Sequence, residues 1–217
     1  MGATIGEVLP LAVGVAISPI PIVAVILMLL SRNARATSAG FGLGWLAGIL
    51  VVTGIVILLA GSITPDDEGG SSTGWVKVVL GILLIVLAVK QWQSRADTTP
   101  PKWMRAIDEF TFAKAAGLGL LLSAVNPKNL LLCVSAGVAI GTAGLSAGSA
   151  VVTWLVFTVL AACSVLVPVV GYALAAQRLA GPLDATKTWL QANNHMVMAI
   201  VLLIMGTVVL GKGLGGV

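Results

Sequence analysis

Charge is what this sequence has least of. Asp, Glu, Lys and Arg make up only 9% of its 217 residues, against 58% hydrophobic residues. So few charges cannot cover the surface of a water-soluble domain of this size, so composition excludes a soluble globular protein and predicts an integral membrane protein. Histidine occurs once, at His195, and cysteine twice, at Cys133 and Cys163. Both thiols fall inside apolar runs with no CxxC or Cys/His spacing, so they read as small core residues. No Asp or Glu lies inside an apolar run; Glu7 stands at the edge of the first. That leaves no ligand set for hard or borderline cations, and no Ser/His/Asp, Cys/His or paired-carboxylate constellation at membrane depth. There is no nucleotide-binding motif. The expectation is therefore a protein that is not an enzyme, with no catalytic residues, no metal and no cofactor. The basic residues are scattered through short loops, which also argues against nucleic acid as a partner.

What the chain does contain is long apolar runs. A membrane helix needs about 20 mostly apolar residues, and six runs supply them: Val8–Leu30, Ser38–Gly61, Gly74–Trp92, Ala115–Ile140, Ser146–Ala176 and Met196–Leu214. No linker is long enough to separate domains, so residues 1–217 form a single membrane domain. Met1–Glu7 carries no Lys or Arg, and the run after it is too long for a signal-peptide core, so it is expected to stay as the first span. Arg32, Arg35, Lys90, Arg95, Lys102, Arg105, Lys114, Arg178 and Lys187 fall in alternate loops, while Asp66, Asp67 and Glu68 fall in the loop between spans two and three. The positive-inside rule makes the basic side cytoplasmic and sends both termini outward; Lys77 and Lys212 are exceptions near outer helix ends.

In Pro101–Phe112, Trp103, Ile107 and Phe110 share one helical stripe, with Lys102, Arg105, Asp108 and Glu109 mostly elsewhere, which predicts an interfacial amphipathic helix over about 101–112. Leu183, Thr186, Trp189 and Leu190 give a weaker version before span six. Gly40, Gly44 and Gly48 recur every four residues and predict a smooth helix-packing face, with Gly144 and Gly148 at a matching place in the second half.

Ala16-Ile17-Ser18-Pro19 aligns with Ala124-Val125-Asn126-Pro127 at an offset of 108 residues, half the chain, and Gly40 and Gly148 keep that offset. With three spans per half, two related units enter the membrane from opposite sides. The expected fold is thus all-α: a polytopic membrane protein of six transmembrane helices in two inverted three-helix repeats, about 1–95 and 113–217. Inverted repeats of this kind place transporter binding sites at the repeat interface near the midplane.

Ser18-Pro19 and Asn126-Pro127 also read as helix starts, a capping side chain followed by proline at the first helical position. Proline donates no backbone hydrogen bond, so Pro19 frees the carbonyl of Val15 and Pro127 that of Ser123; Pro21 reinforces the first break. Spans one and four are therefore expected to be broken, each presenting a helix N-terminus inside the membrane. Lys128 lies about 13 residues, roughly 20 Å, from either end of its span. A central lysine costs on the order of 2.5–3.5 kcal/mol. Three readings follow: an anion-binding group flanked by Asn126 and Asn129, a lysine satisfied by freed carbonyls and water, or a proton-coupling lysine. The candidate substrate-binding set is Ser18, Pro19, Pro21, Asn126, Pro127, Lys128 and Asn129. A re-entrant arrangement of both broken segments would move Arg178 and Lys187 outward, against the charge rule, so six full spans are expected.

The run Leu9-Pro10-Leu11-Ala12-Val13-Gly14-Val15-Ala16-Ile17-Ser18-Pro19-Ile20-Pro21, continuing to Leu30, resembles the opening of the glycolipid-addressing (sulfolipid-addressing) proteins. Gly42-Leu43-Gly44-Trp45 and Asn126-Pro127-Lys128-Asn129-Leu130 extend the resemblance over essentially the whole chain. The family lies in the broad lysine-exporter-like superfamily. The resemblance implies a six-span protein of the bacterial plasma membrane that helps move lipids or glycolipids toward the envelope. Its implied partners are a lipid or small-molecule substrate, a second copy of the chain, or an envelope-lipid synthesis or export partner. An exporter of an amino acid or similar metabolite is the alternative within transport, and a non-transporting accessory subunit the alternative outside it.

Overall fold

The computed structural model describes residues 1–61, 69–96, 107 and 109–215. Its described residues form seven helices: α1 (Gly2–Ala16), α2 (Pro19–Leu29), α3 (Ala34–Gly61), α4 (Gly69–Gln93), α5 (Phe112–Ala124), α6 (Pro127–Gly141) and α7 (Ala147–Leu214). Non-helical backbone at Ala175 divides α7 into two limbs, α7a (Ala147–Ala176) and α7b (Arg178–Leu214). Most of the expected interfacial helix, with Trp103, and the acidic Asp66–Glu68 stretch lie outside the described residues. Ile107, the one residue of that stripe's middle that is described, is buried.

Four helices, α3, α4 and the two limbs of α7, are each long and apolar enough to cross a membrane. Only a third to somewhat under half of their most apolar windows is buried in the protein. Leu58, Leu59, Val86, Val167 and Leu174 instead face outward. Apolar surface on that scale belongs in lipid, where it costs nothing. α1 with α2, bent by 54°, and α5 with α6, bent by 64°, complete the set as two broken spans. Neither bend reverses the chain, and α5 and α6 keep close company with α3. Gly40 of α3 packs on Phe112, Gly44 on Ala116, Thr53 and Val56 on Gly137, and Ala60 on Gly141. The broken pair thus runs beside the 28-residue α3 from one end to the other and in the same direction. A hairpin turning back on itself could not do this.

Other contacts fix the remaining directions. α1 runs against α6, with Gly14 on Leu132 and Ile17 beside Lys128. α1 also runs against α7b, with Glu7 beside Lys212 and Gly14 on Met205. α4 runs against α7b through Val78–Gly213, Gly81–Leu210, Ile85–Gly206 and Gln91–His195. α3 runs against α7a through Gly42–Leu166 and Gly54–Trp154. Taken in chain order, six spans alternate in direction and both termini end on one face. Arg32, Arg35, Lys90, Arg95, Lys114, Arg178 and Lys187 lie at the other.

The glycine expectation divides. A Cβ on Gly40 or Gly44 would collide with the carbonyl oxygens of Phe112 or Ala116, and one on Gly48 with the Ser123 hydroxyl. These glycines let α3 and α5 approach backbone to backbone. Gly148 has open space around it, and Gly144 sits before α7 with φ +60°, a left-handed turn conformation suited to glycine. Neither makes the helix-packing contact expected of it. The segment before span six, expected as a longer loop with a weak amphipathic helix through Leu183, Thr186, Trp189 and Leu190, goes further than that expectation. It is helical throughout as the first turns of α7b, where Lys187 pairs with Asp184 one turn away and Thr186 bonds back to the Pro182 carbonyl.

Candidate functional site

The two breaks meet. α1 ends at Ile17, whose ψ of 60° leaves the helical region, and Ser18 is extended with Pro19 starting α2 behind it. Val125, still in the helical region, and the extended Asn126 separate α5 from α6, with Pro127 at the first position of α6. Since α1 and α6 are antiparallel neighbours, the α1–α2 break faces the start of α6.

Lys128 bridges them. Its Nζ donates to the Ile17 carbonyl oxygen at 2.7 Å and to Ser18 Oγ at 2.9 Å. Ser18 Oγ in turn donates to Asn129 Oδ1 at 2.8 Å, and Asn129 Nδ2 donates to the Leu122 carbonyl at 3.1 Å, back across the α5–α6 break. The result is a closed run of hydrogen bonds from Leu122 through Asn129, Ser18 and Lys128 to Ile17. Lys128 is 1% exposed, Asn129 0% and Ser18 3%, so water reaches none of them to any extent. Buried polar groups stay only where they are paired, and these pair with one another.

The seven expected site residues do not act alike. Ser18, Lys128 and Asn129 form the bridge itself. Asn126 caps α6, its Oδ1 accepting from the Lys128 backbone N–H at 3.1 Å, as the sequence motif implies. Ser18 occupies the corresponding position in α2, yet its side chain makes no capping bond, because its hydroxyl is committed to Lys128 and Asn129. Pro19 and Pro21 are buried in the first turn of α2, and Pro127 lies on the exposed side of its break. These prolines shape the backbone and present no polar atom of their own to the bridge.

The acceptor that motif reading overlooked is Ile17. The expected freed carbonyls were those of Val15 and Ser123, one turn before each proline. The lysine instead takes the carbonyl at the last turn of α1, where helix geometry always leaves acceptors free. Ser123 turns its own hydroxyl onto the Gly119 and Leu120 carbonyls, under the α3 glycines. Among the described residues no group of three or more His, Cys, Asp or Glu could hold a metal ion.

No curated protein and no solved structure matches the chain. A family model does, from residue 8 to residue 215: all six spans and both breaks lie within it or begin just before it. The chain belongs to the family of Sap, the sulfolipid-1-addressing protein.

Proposed function

We propose that this protein is a carrier that moves an amphipathic, anionic lipid or glycolipid, or its precursor, across the plasma membrane toward the cell envelope. The observation that carries the reading is the Lys128 bridge, a lysine buried where two broken spans meet and held wholly by the opposite half. Membership of a sulfolipid-addressing family supports the substrate class. In the state described, Lys128 takes the Ile17 carbonyl and Ser18 hydroxyl. When the halves part, the same donor exchanges them for a sulfate, phosphate or carboxylate of the substrate. A charge-assisted bond to that group is stronger than one to a neutral carbonyl, so the exchange favours the loaded state.

The halves that part are, on this reading, inverted repeats. α1 corresponds to α5, α2 to α6, α3 to α7a and α4 to α7b, and the corresponding pairs α3 with α7a and α4 with α7b pack antiparallel. Gly42 lies opposite Leu166 and Gly54 opposite Trp154, and Gly40 and Gly148 are 108 residues apart. The same offset relates the two breaks. Alternating access by rocking one repeat against the other follows from such an arrangement. The basic face is cytoplasmic and the termini are outside, by the positive-inside rule.

The test uses Lys128→Met in cells, with the protein present at normal level. Surface display of the anionic envelope lipid is expected to fall by about tenfold or more, the loss that removing one charged hydrogen-bonding partner gives. Normal display would overturn the proposal. The dry seat of Lys128 favours a second reading, in which the bridge is a structural latch of an accessory subunit. Reconstitution separates the two: the purified protein flips a labelled anionic glycolipid in proteoliposomes if it is a carrier, and does not if it is accessory.

A further inference from the structure

One charged cluster stands apart from the Lys128 bridge, on the face that bears the termini. Glu7 Oε1 lies 3.2 Å from Lys77 Nζ and 3.8 Å from Lys212 Nζ, and Lys212 Nζ also donates to the Glu7 backbone carbonyl at 3.3 Å. One carboxylate thus holds two lysines, from α4 and α7b, and leaves a positive charge over. All three line a cleft between α1, α4, α6 and α7b whose remaining walls are Leu11, Ala139, Val208 and Val209, with Ser135 below the rim. A charged rim over apolar walls suits one kind of ligand, an anionic head on an alkyl body.

The cleft also points somewhere. Following the α1–α6 seam inward, Glu7 gives way to Leu11 and Ser135, then to Gly14 against Leu132 and Met205, then to Ile17 and Ser18 against Lys128. The narrow point is Gly14, where a Cβ would stand 2.9 Å from Met205 Cγ and 3.1 Å from Leu132 Cδ1. Leu132 Cδ1 is the end of its side chain and Met205 Cγ belongs to a flexible one, so the seam is closed by side chains that can turn aside. Methionine is suited to such a role.

We infer that Lys77 and Lys212 form a second, outer anion-binding station for an anionic amphiphile, occupied in the closed state by the Glu7 carboxylate, and that the α1–α6 seam joins it to Lys128 past Gly14, Leu132 and Met205. The inference rests on the carrier reading for the role of Lys128, while the station itself stands on its own residues. Glu7 competes with the substrate's head for the same two ammonium groups, so release of a head outward and closure of the rim are one event.

The test needs no transport. In a protein with Cys133→Ala and Cys163→Ala, Ser135→Cys reports on the cleft; its native hydroxyl bonds only its own helix, at Leu131, so the change is tolerated. A membrane-impermeant thiol reagent is added from the face bearing the termini. Glu7→Gln should speed labelling by about fivefold, the population shift expected from removing a half-buried ion pair. Octyl sulfate below its micellar concentration should protect the thiol, octyl glucoside should not, and Lys77→Gln with Lys212→Gln should abolish the protection. Labelling indifferent to Glu7→Gln, equal protection by the neutral amphiphile, or protection surviving loss of both lysines would each overturn the inference. Ala139→Cys, nearer the rim, repeats the measurement should the Ser135 variant fold poorly. Selective protection together with normal lipid display in Lys128→Met cells would keep the station and remove the carrier.

Discussion

Lys128 donates to two acceptors, and both belong to the opposite half of the chain. Lys128→Met keeps the unbranched stem of the side chain but strands the Ile17 carbonyl and removes one partner of Ser18. Leaving a buried acceptor unsatisfied costs about 1–3 kcal/mol, so the variant should lower the midpoint of thermal unfolding in detergent. Ser18→Ala breaks both of its bonds and should cost a comparable amount. Because the two residues share one run of hydrogen bonds, their effects should not add: a double-mutant cycle should return a coupling of about 0.5–3 kcal/mol. A coupling near zero would mean that the bridge does not act as a unit. How much of this was legible at residue scale differs by residue. Asn126-Pro127 announces a helix start because capping is a local event, and the cap is there. Ser18-Pro19 announces the same, yet Ser18 spends its hydroxyl on residues 110 and 111 positions away. No local rule could have assigned those partners.

At the scale of helices, the contact between α3 and α5 depends on side chains that are missing. Gly44→Ala would place a methyl group into the Ala116 carbonyl, part of a backbone that cannot turn aside. Overpacking of this sort costs about 1–3 kcal/mol, more than the roughly 0.5–1 kcal/mol that alanine gains over glycine in a helix. Gly44→Ala should therefore destabilise the protein. Gly148→Ala, in open space, should be neutral or slightly stabilising. Unfolding curves of the two variants side by side check this, and equal effects would contradict the packing described. Both glycines fit the same sequence pattern. Spacing by four residues marks a face, but only the neighbour decides whether the face is used. The segment from Arg178 to His195 teaches the converse. Leu183, Thr186, Trp189 and Leu190 hinted at only a weak helix within a loop, yet the segment is helical throughout; polarity marks only distance from lipid, and a helix that extends into the aqueous phase is polar too.

Across the whole molecule, the alternation of six spans puts both termini on one face and the Arg32, Arg95 and Arg178 ends on the other. Reporter fusions at either terminus should therefore score alike, on the outer side, while a reporter inserted after Arg95 should score as cytoplasmic. Termini that score on opposite sides would contradict the antiparallel contacts of α1 with α7b. The sequence by itself determined that the chain is built of long apolar helices suited to lipid, and the positions of both breaks. Each of these follows from composition, from runs of about 20 apolar residues or from proline's missing N–H, all local quantities. It also determined the side on which basic residues collect, since that depends on order along the chain alone. Only the tertiary structure decided that the two breaks face each other, that Lys128 is dry and shared between the halves, and that Glu7 meets lysines 70 and 205 residues away. Those facts depend on which helices become neighbours and at what register. In lipid that choice is made by close packing of whole surfaces rather than by any motif.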